Sequence, residues 1–176
     1  MGGVQGGGRD RGDAVKTKAT WRIRRATKKD VGQILAMTAA VSEHEGQPPP
    51  GMTQSALLKF LLGRQALAEA FVAESGGRLI GHVISTKSLD MQSGTTFCWI
   101  ADLYVEARWR RQKVGRALMA AIARLAEKEG SAHIQWLLSP DNRTAIAFYE
   151  KIGARRDRGV AMFINVQGIR SLTEKC

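Results

Sequence analysis

The sequence of 176 residues is poor in cysteine, in acidic residues and in long apolar runs. Its two cysteines, Cys98 and Cys176, are too few for a disulfide framework or a closed zinc site. No stretch approaches the roughly 20 apolar residues that a membrane span requires. The glycine-rich start, residues 1–12, lacks the apolar core of a secretory signal. These absences predict a cytoplasmic protein that does not enter a membrane.

Acidic residues are scarce relative to basic ones, 16 against 27, which gives a formal net charge of +11. Such an excess attracts anions, including nucleic acids and polyphosphate cofactors. Nine basic residues lie between Arg9 and Lys29, and five more lie between Glu106 and Arg116. The first group is typical of a solvated tail. The second group needs a structural explanation.

Histidine is also rare, and its three positions are His44, His82 and His133. Together with the two cysteines they show none of the short spacings that zinc sites use, so we expect no metal. Because His82 and His133 fall in predicted strands, we interpret both as structural residues.

The chain is predicted to form a disordered tail over residues 1–20 followed by one domain over residues 21–170. A short strand at 21–25 precedes a helix whose start, Thr27 to Asp30, resembles a capping box. A second helix is expected between Thr53 and Gly63.

The later part of the domain alternates strands and helices. Strands are predicted at 67–74, 78–89 and 95–105, the first two joined by a Gly76-Gly77 turn. A helix from Val114 to Gly130, a strand at 133–139, a helix from Asn142 and a last strand at 160–166 follow. This order predicts an α/β fold with parallel pairing and helices on both faces of a mixed sheet.

A basic turn joins the strand ending at Val105 to the helix starting at Val114. Unpaired N–H groups at a helix start, with the positive end of the helix dipole, form an anion site. Gly115 lets the backbone approach a phosphate closely. Positive charge is added by Arg110, Arg111, Lys113 and Arg116.

Two motifs resemble those of the GCN5-related N-acetyltransferase (GNAT) superfamily. Residues 110–118, RRQKVGRAL, are similar to its acetyl-CoA pyrophosphate loop. In that loop a Gln or Arg is followed by two residues, a Gly, one further residue and then a Gly or Ala. Lys113 stands where the first glycine is usual, so either the turn tolerates a side chain or the lysine itself reaches the anion. Residues 142–154, NRTAIAFYEKIGA, are similar to the second signature. The diamine and thialysine N-acetyltransferases are the subfamily with the nearest, looser resemblance.

The resemblance implies the GNAT fold, with about six or seven strands and about four helices, and acetyl-CoA as co-substrate. It implies that Tyr149 protonates the departing thiolate, a role that suits a phenol because its pKa lies close to that of a thiol. On helical spacing alone Tyr149 would be a core residue. The implied cofactor-binding residues are Leu103, Tyr104, Val105, Arg110, Arg111, Gln112, Lys113, Val114, Gly115, Arg116, Ala117, Asn142 and Tyr149. The backbone near Leu103 to Val105 would polarise the thioester carbonyl.

The acceptor side departs from the family pattern. Many relatives carry a glutamate on the strand before the loop, but this sequence has Ala101 there, followed by Asp102. Asp102, on the strand face expected to carry Ile100 and Tyr104, is therefore a catalytic and substrate-binding candidate that either binds a cationic acceptor or relays its proton through water. The cluster of Glu43, His44 and Glu45 is the other candidate, with both glutamates as substrate-binding residues.

The sequence therefore predicts an N-acetyltransferase that moves acetyl from acetyl-CoA to a small polyamine or amino-acid-like amine, with direct attack in a ternary complex. Three alternatives stay open: a protein or peptide acceptor, a silent acetyl-CoA-binding sensor suggested by Ala101, and a nucleic-acid-associated protein suggested by the basic tail. Because the chain shows no zinc finger or stacking aromatic ladder, we expect no nucleic-acid partner. The analogy with relatives suggests a homodimer.

Overall fold

The computed structural model describes residues 20–44, 46, 48–157, 159 and 164, without the side chain of His44. The predicted tail before residue 20, Glu45, and all of the predicted last strand except Ile164 lie outside the described residues. The chain divides into two compact units, Met1–Trp136 and Leu137–Cys176, and each is described by itself. The expectation of one domain over residues 21–170 stays a prediction.

The described residues of the first unit form five strands and three α-helices. In chain order these are β1 (Arg22–Arg25), α1 (Val31–His44), α2 (Gln54–Leu62), β2 (Ala68–Ser75), β3 (Arg78–Asp90), β4 (Thr95–Val105), α3 (Val114–Lys128) and β5 (Ser131–Gln135). The second unit contains α4 (Arg143–Lys151). No helix in the described part of the chain is long and apolar enough to cross a bilayer.

The strands form one sheet in the order β1-β2-β3-β4-β5. All neighbours are antiparallel except β4 and β5, which pair in parallel across the helical connection α3. The predicted mixed sheet, its α/β class and the parallel pairing are confirmed. Five strands are seen in the described residues where about six or seven were expected.

Successive side chains along a strand point to opposite sides of the sheet, and helices cover both of these faces. Helices α1 and α2 cover one face with a core cluster comprising Val31, Ile34, Met37, Leu57, Leu61, Ala70, Val72, Leu79 and Ile84. Helix α3 lies against the other face, where Val114, Leu118 and Ile122 are fully or almost fully buried. The predicted helical spacing of these apolar positions is confirmed.

Strand β4 carries a β-bulge near the end that leads into the basic turn. Ile84 of β3 pairs with Asp102, but the next residue, Ser85, pairs with Ile100, so Ala101 is the extra residue. The extra residue inverts the alternation of side chains along the strand. Asp102 and Tyr104 consequently share the α1 face, whereas Ile100 points to the α3 face. The expectation that Ile100 shares the face of Asp102 is wrong for this reason.

Near the end of β4, β3 approaches it through Gly81, which pairs with Val105. A Cβ atom on Gly81 would lie 2.6 Å from the carbonyl oxygen of Tyr104 and 3.4 Å from Leu118 Cδ1. The first distance is far below a normal contact. Glycine at this position therefore fixes the spacing between the two strands and α3.

An ionic cluster connects β1 to the start of α1. Arg24 donates to both carboxylate oxygens of Asp30, at 2.7 and 2.8 Å, and to Glu74 of β2 at 2.5 Å. The backbone N–H and the hydroxyl of Thr27 also donate to Asp30, and the predicted capping box is present. Asp30 is only 3% exposed. Hydrogen bonds from Arg24, opposed by burial, lower the pKa of Asp30 to about 2.

Replacing this buried carboxylate with an amide should destabilise the protein. We expect Asp30→Asn to lower the free energy of unfolding by about 2 kcal/mol at neutral pH, because the pKa of the carboxyl is lowered on folding. A group with a lowered folded pKa stabilises above its unfolded pKa, and this contribution is lost as the pH falls through the folded value. The difference between the two proteins in urea unfolding should therefore shrink between about pH 4 and pH 2.

The matched control is Glu69→Gln, which removes the carboxylate that Arg25 contacts at an exposed site of the same sheet. It should change the free energy of unfolding by less than about 0.5 kcal/mol, because exposed ion pairs contribute little. Equal losses in the two variants would contradict a special role for Asp30.

Candidate active site

The turn between β4 and α3 has a backbone conformation that explains why a glycine is usual at position 113 of the motif that residues 110–118 resemble. A 3₁₀ turn, Ala107–Trp109, is followed by Arg111 with a φ of 61° and Lys113 with a φ of 68°. Both residues lie in the left-handed region, which costs a side-chain-bearing residue about 1–2 kcal/mol. The turn therefore tolerates the lysine at an energetic cost, and its backbone keeps the shape that glycine adopts freely.

Hydrogen bonds hold this turn in place. Glu106 accepts from Arg78 at 2.6 Å and from Arg108 at 3.0 Å. Arg110 donates to the Val105 carbonyl at 3.1 Å, and Gln112 donates to the Arg108 carbonyl at 2.8 Å. The cationic side chains of Arg111, Lys113 and Arg116 are exposed and take no part in the hydrogen bonds named above.

The start of α3 provides backbone N–H donors next to the cationic turn. The bond from the Ala117 N–H to the Lys113 carbonyl, at 3.0 Å, is the first of the helix. The N–H groups of Val114, Gly115 and Arg116 precede it and lie at the positive end of the helix dipole. Together with the neighbouring cations they have the arrangement expected of an anion site, and anion binding here stays a prediction.

A polar cluster lies on the α1 face of the sheet, one residue beyond the bulge. Asp102 Oδ2 accepts hydrogen bonds from His82 Nε2 of β3 and from the Thr38 hydroxyl of α1, both at 2.9 Å. His82 is 0% exposed, and its ring centroid lies 6.1 Å from that of Tyr104. The Asp102 side chain is 26% exposed, so it is partly accessible from solvent.

The charge state of Asp102 follows from these contacts. Burial alone would raise the pKa of the carboxyl, but the bonds from His82 and Thr38, the attraction of His82 and the backbone of Leu103 outweigh it. The pKa of Asp102 is consequently held below its usual range. The side chain is an anion at neutral pH.

His82 is the residue that sequence reasoning missed. It was interpreted as structural because it falls in a strand, and its contact with Asp102 depends on the bulge at Ala101. His82 pairs with Tyr104, and Ile84 pairs with Asp102, so His82 and Asp102 are diagonal neighbours on one face. The strand register could have revealed the pair, but only if the bulge were known.

The second signature lies in the second unit. Asn142 precedes α4 and its side chain accepts from the Ala145 N–H at 3.0 Å, which confirms the predicted cap. Tyr149 is half-buried on this helix, with its ring centroid 5.0 Å from that of Phe148. Its role as an acid stays a prediction.

The other acceptor-side candidates are less defined. Glu43 is exposed near the end of α1, whereas Glu45 and the side chain of His44 lie outside the described residues. Among the residues with described positions, no three His, Cys, Asp or Glu side chains form a group that could hold a metal ion.

Known proteins resemble this chain in sequence. A model of the acetyltransferase (GNAT) family matches residues 34–154, which include the bulge, the cationic turn and Tyr149. L-ornithine N5-acetyltransferase from Arabidopsis thaliana is 35% identical over 57 residues, which are 32% of this chain and 25% of that protein. Thialysine N-epsilon-acetyltransferase from Sus scrofa is 24% identical over 142 residues, covering 76% of this chain and 83% of that protein. The match thus spans only a quarter of the Arabidopsis protein.

Solved structures share the fold. An integron cassette protein from the mobile metagenome of V. cholerae superposes with a TM-score of 0.72 at 18% identity, covering 88% of this chain and 98% of that one. An aminoglycoside acetyltransferase from an uncultured soil metagenomic sample, in complex with trehalose, gives a TM-score of 0.68 at 20% identity, covering 83% and 95%. Since the family match covers most of the chain, including the cationic turn and both sequence signatures, the chain belongs to the acetyltransferase (GNAT) family, whose members are acyl-CoA-dependent N-acetyltransferases.

Proposed function

We propose that this protein transfers the acetyl group of acetyl-CoA to the primary amine of a small polyamine or an amino-acid-like acceptor, by direct attack in a ternary complex. The observation that carries the proposal is the position of an ionised, partly exposed carboxylate, Asp102, three residues before the end of the strand that leads into the cationic turn. A cationic acceptor and an anionic cofactor would then be recognised at neighbouring parts of one strand-turn-helix segment.

The cofactor side fits the phosphates of acetyl-CoA. The N–H groups at the start of α3 and the exposed cations of the turn supply hydrogen bonds and positive charge. Acetyl-CoA would supply the thioester carbonyl that the amine attacks. The residues assigned to it are Leu103, Tyr104, Val105, Arg110, Arg111, Gln112, Lys113, Val114, Gly115, Arg116, Ala117, Asn142 and Tyr149.

On the acceptor side, the magnitudes favour binding of a cation by Asp102 over proton abstraction. An alkylammonium has a pKa of about 10.4, whereas the pKa of Asp102 is held below the usual range of a carboxyl group by His82 and Thr38, against the effect of burial. Moving the proton from the ammonium group to Asp102 is therefore strongly unfavourable. Asp102 therefore attracts the ammonium form, and water carries the proton away before attack. Glu43 and Glu45 add negative charge to the acceptor side in this proposal.

The chain's other reactive groups take limited roles in the proposed reaction. Tyr149 donates a proton to the departing thiolate as the C–S bond breaks. A covalent intermediate on Cys98 is not needed, because burial raises the pKa of that thiol and its strand position places it on the α3 face, away from Asp102.

The names of two relatives support a small acceptor. Ornithine and thialysine, the acceptors that these names specify, are amino acids acetylated on a side-chain amine. Each of these acceptors carries a second ammonium group, on its α-carbon, which suits a site that contains the Asp102 carboxylate. A cytoplasmic location, one domain over residues 21–170 and a homodimer complete the proposal.

Thiol release from acetyl-CoA is the assay that tests the activity. The acceptor panel contains spermidine, short diamines, thialysine, ornithine, an aminoglycoside and an amino-terminal peptide set. Release that depends on the small amines supports the proposal. Much faster release with peptides would replace the acceptor class, and acetyl-CoA binding without amine-dependent release would make the protein a sensor.

The Tyr149→Phe variant tests the assigned acid. We expect kcat to fall by about a hundredfold or more, because the thiolate then leaves without its proton donor. The dissociation constant of acetyl-CoA should change by less than about threefold, since other residues carry most of its binding. Glu150→Gln, an exposed change on the same helix, is the control and should keep its turnover. An equal kcat in Tyr149→Phe and the parent would remove the assigned role.

The Lys113→Gly variant tests the strained turn. We expect it to raise the free energy of unfolding by about 0.5–1 kcal/mol in chemical denaturation, because glycine adopts a positive φ without steric cost. Lys113→Ala removes the same charge and keeps the strain, so it should bring no gain. If the backbone binds the phosphates, the dissociation constant of acetyl-CoA in both variants should stay within about threefold of the parent's value. A tenfold loss in both would instead assign the contact to the ammonium group.

A further inference from the structure

His82 occupies a position that is costly for a merely structural histidine. It is 0% exposed, and within the described residues its Nδ1 atom is buried with no hydrogen-bond partner. A buried polar atom without a partner destabilises the folded state, whereas an apolar side chain of similar size would fill the same place without that cost. The hydrogen bond from Nε2 to Asp102 is the one contact that accounts for an imidazole here.

That contact controls the geometry of the carboxylate. An ionised carboxylate only accepts hydrogen bonds, so His82 Nε2 carries the proton that it shares with Asp102. Thr38 donates to the same oxygen from α1, and both bonds are 2.9 Å long. Two donors from two different elements therefore converge on Oδ2, while neither of them engages Oδ1.

We propose that His82 is a positioning residue for the acceptor site: with Thr38 it clamps Oδ2 of Asp102 and so presents Oδ1 to the ammonium group of the incoming amine. This inference rests on the proposed function. It extends that function because it gives His82 a role in orienting the acceptor-binding carboxylate. No proton moves to His82 in this role.

The charged surroundings give the proposal a pH signature. On the face that carries Asp102, the titratable neighbours are His82 from β3 and Tyr104 from β4, and α1 presents the Thr38 hydroxyl there. Glu43, at the far end of α1, is exposed. Without His82, its hydrogen bond and its attraction would no longer oppose the effect of burial, so the pKa of Asp102 would rise. The acid limb of the activity profile would then move to higher pH.

The test measures kcat and KM for the best amine of the panel from pH 5 to 9 in the full chain. The variants are His82→Phe, which keeps a ring and removes the donor, His82→Gln, which keeps a donor, Asp102→Asn, and the double variant His82→Phe with Asp102→Asn. Thermal melting and acetyl-CoA dissociation constants are measured for each protein, so that unfolding and cofactor loss are recognised.

We expect His82→Phe to raise KM for the amine by about tenfold to a hundredfold, the size of effect expected when a charged group loses an orienting hydrogen bond. The acid limb should move upward, while acetyl-CoA binds as before. His82→Gln should recover most of the loss. In the Asp102→Asn background the additional effect of His82→Phe should disappear, because His82 acts through that carboxylate.

A folded His82→Phe protein with the parent's KM and pH profile would overturn the inference while leaving the acetyltransferase activity established. Should His82→Phe not fold, failure of the folded His82→Gln variant to outperform Asp102→Asn would overturn it as well. A parent protein that binds acetyl-CoA but releases no thiol with any amine would refute the proposed function, and this inference with it.

Discussion

The bulge in β4 is the constraint on which the site depends. If Ala101 were an ordinary paired residue instead of an extra one, strict alternation from Ile100 would place Asp102 on the opposite face of the sheet from Thr38 and His82. The bulge turns Asp102 and Tyr104 toward α1 while leaving Ile100 and Cys98 packed on the α3 side. One additional residue in one strand therefore decides which helix contacts the carboxylate, and separates the buried thiol from the acceptor site.

The site also separates opposite charges along a short stretch of chain. Asp102 provides negative charge within β4, whereas the turn after Val105 and the start of α3 provide positive charge. Glu106 lies between the two regions and is already engaged by Arg78 and Arg108. In the function proposed above, the strand would attract an acceptor cation and the turn would attract the cofactor phosphates.

Sequence patterns predicted the parts of the molecule that depend on local physics. The β4 limits, the Gly76-Gly77 turn, the Thr53 cap, the α3 face and the Asn142 cap all follow from nearby residues and are confirmed. The bulge was missed because nothing in the local sequence distinguishes an extra residue from ordinary alternation. That omission led to the wrong face for Ile100 and hid the contact of His82, which joins residues 20 positions apart.

The close approach at Gly81 has a consequence for how such a protein diverges. Its missing Cβ lets the Tyr104 carbonyl lie where any side chain would collide with it, so at this point β4 meets β3 backbone to backbone. Acceptor-facing side chains can then vary without moving the strand that carries them. Evolution toward a new amine is expected to pass through residues around Asp102, while a change at position 81 would disturb every acceptor alike.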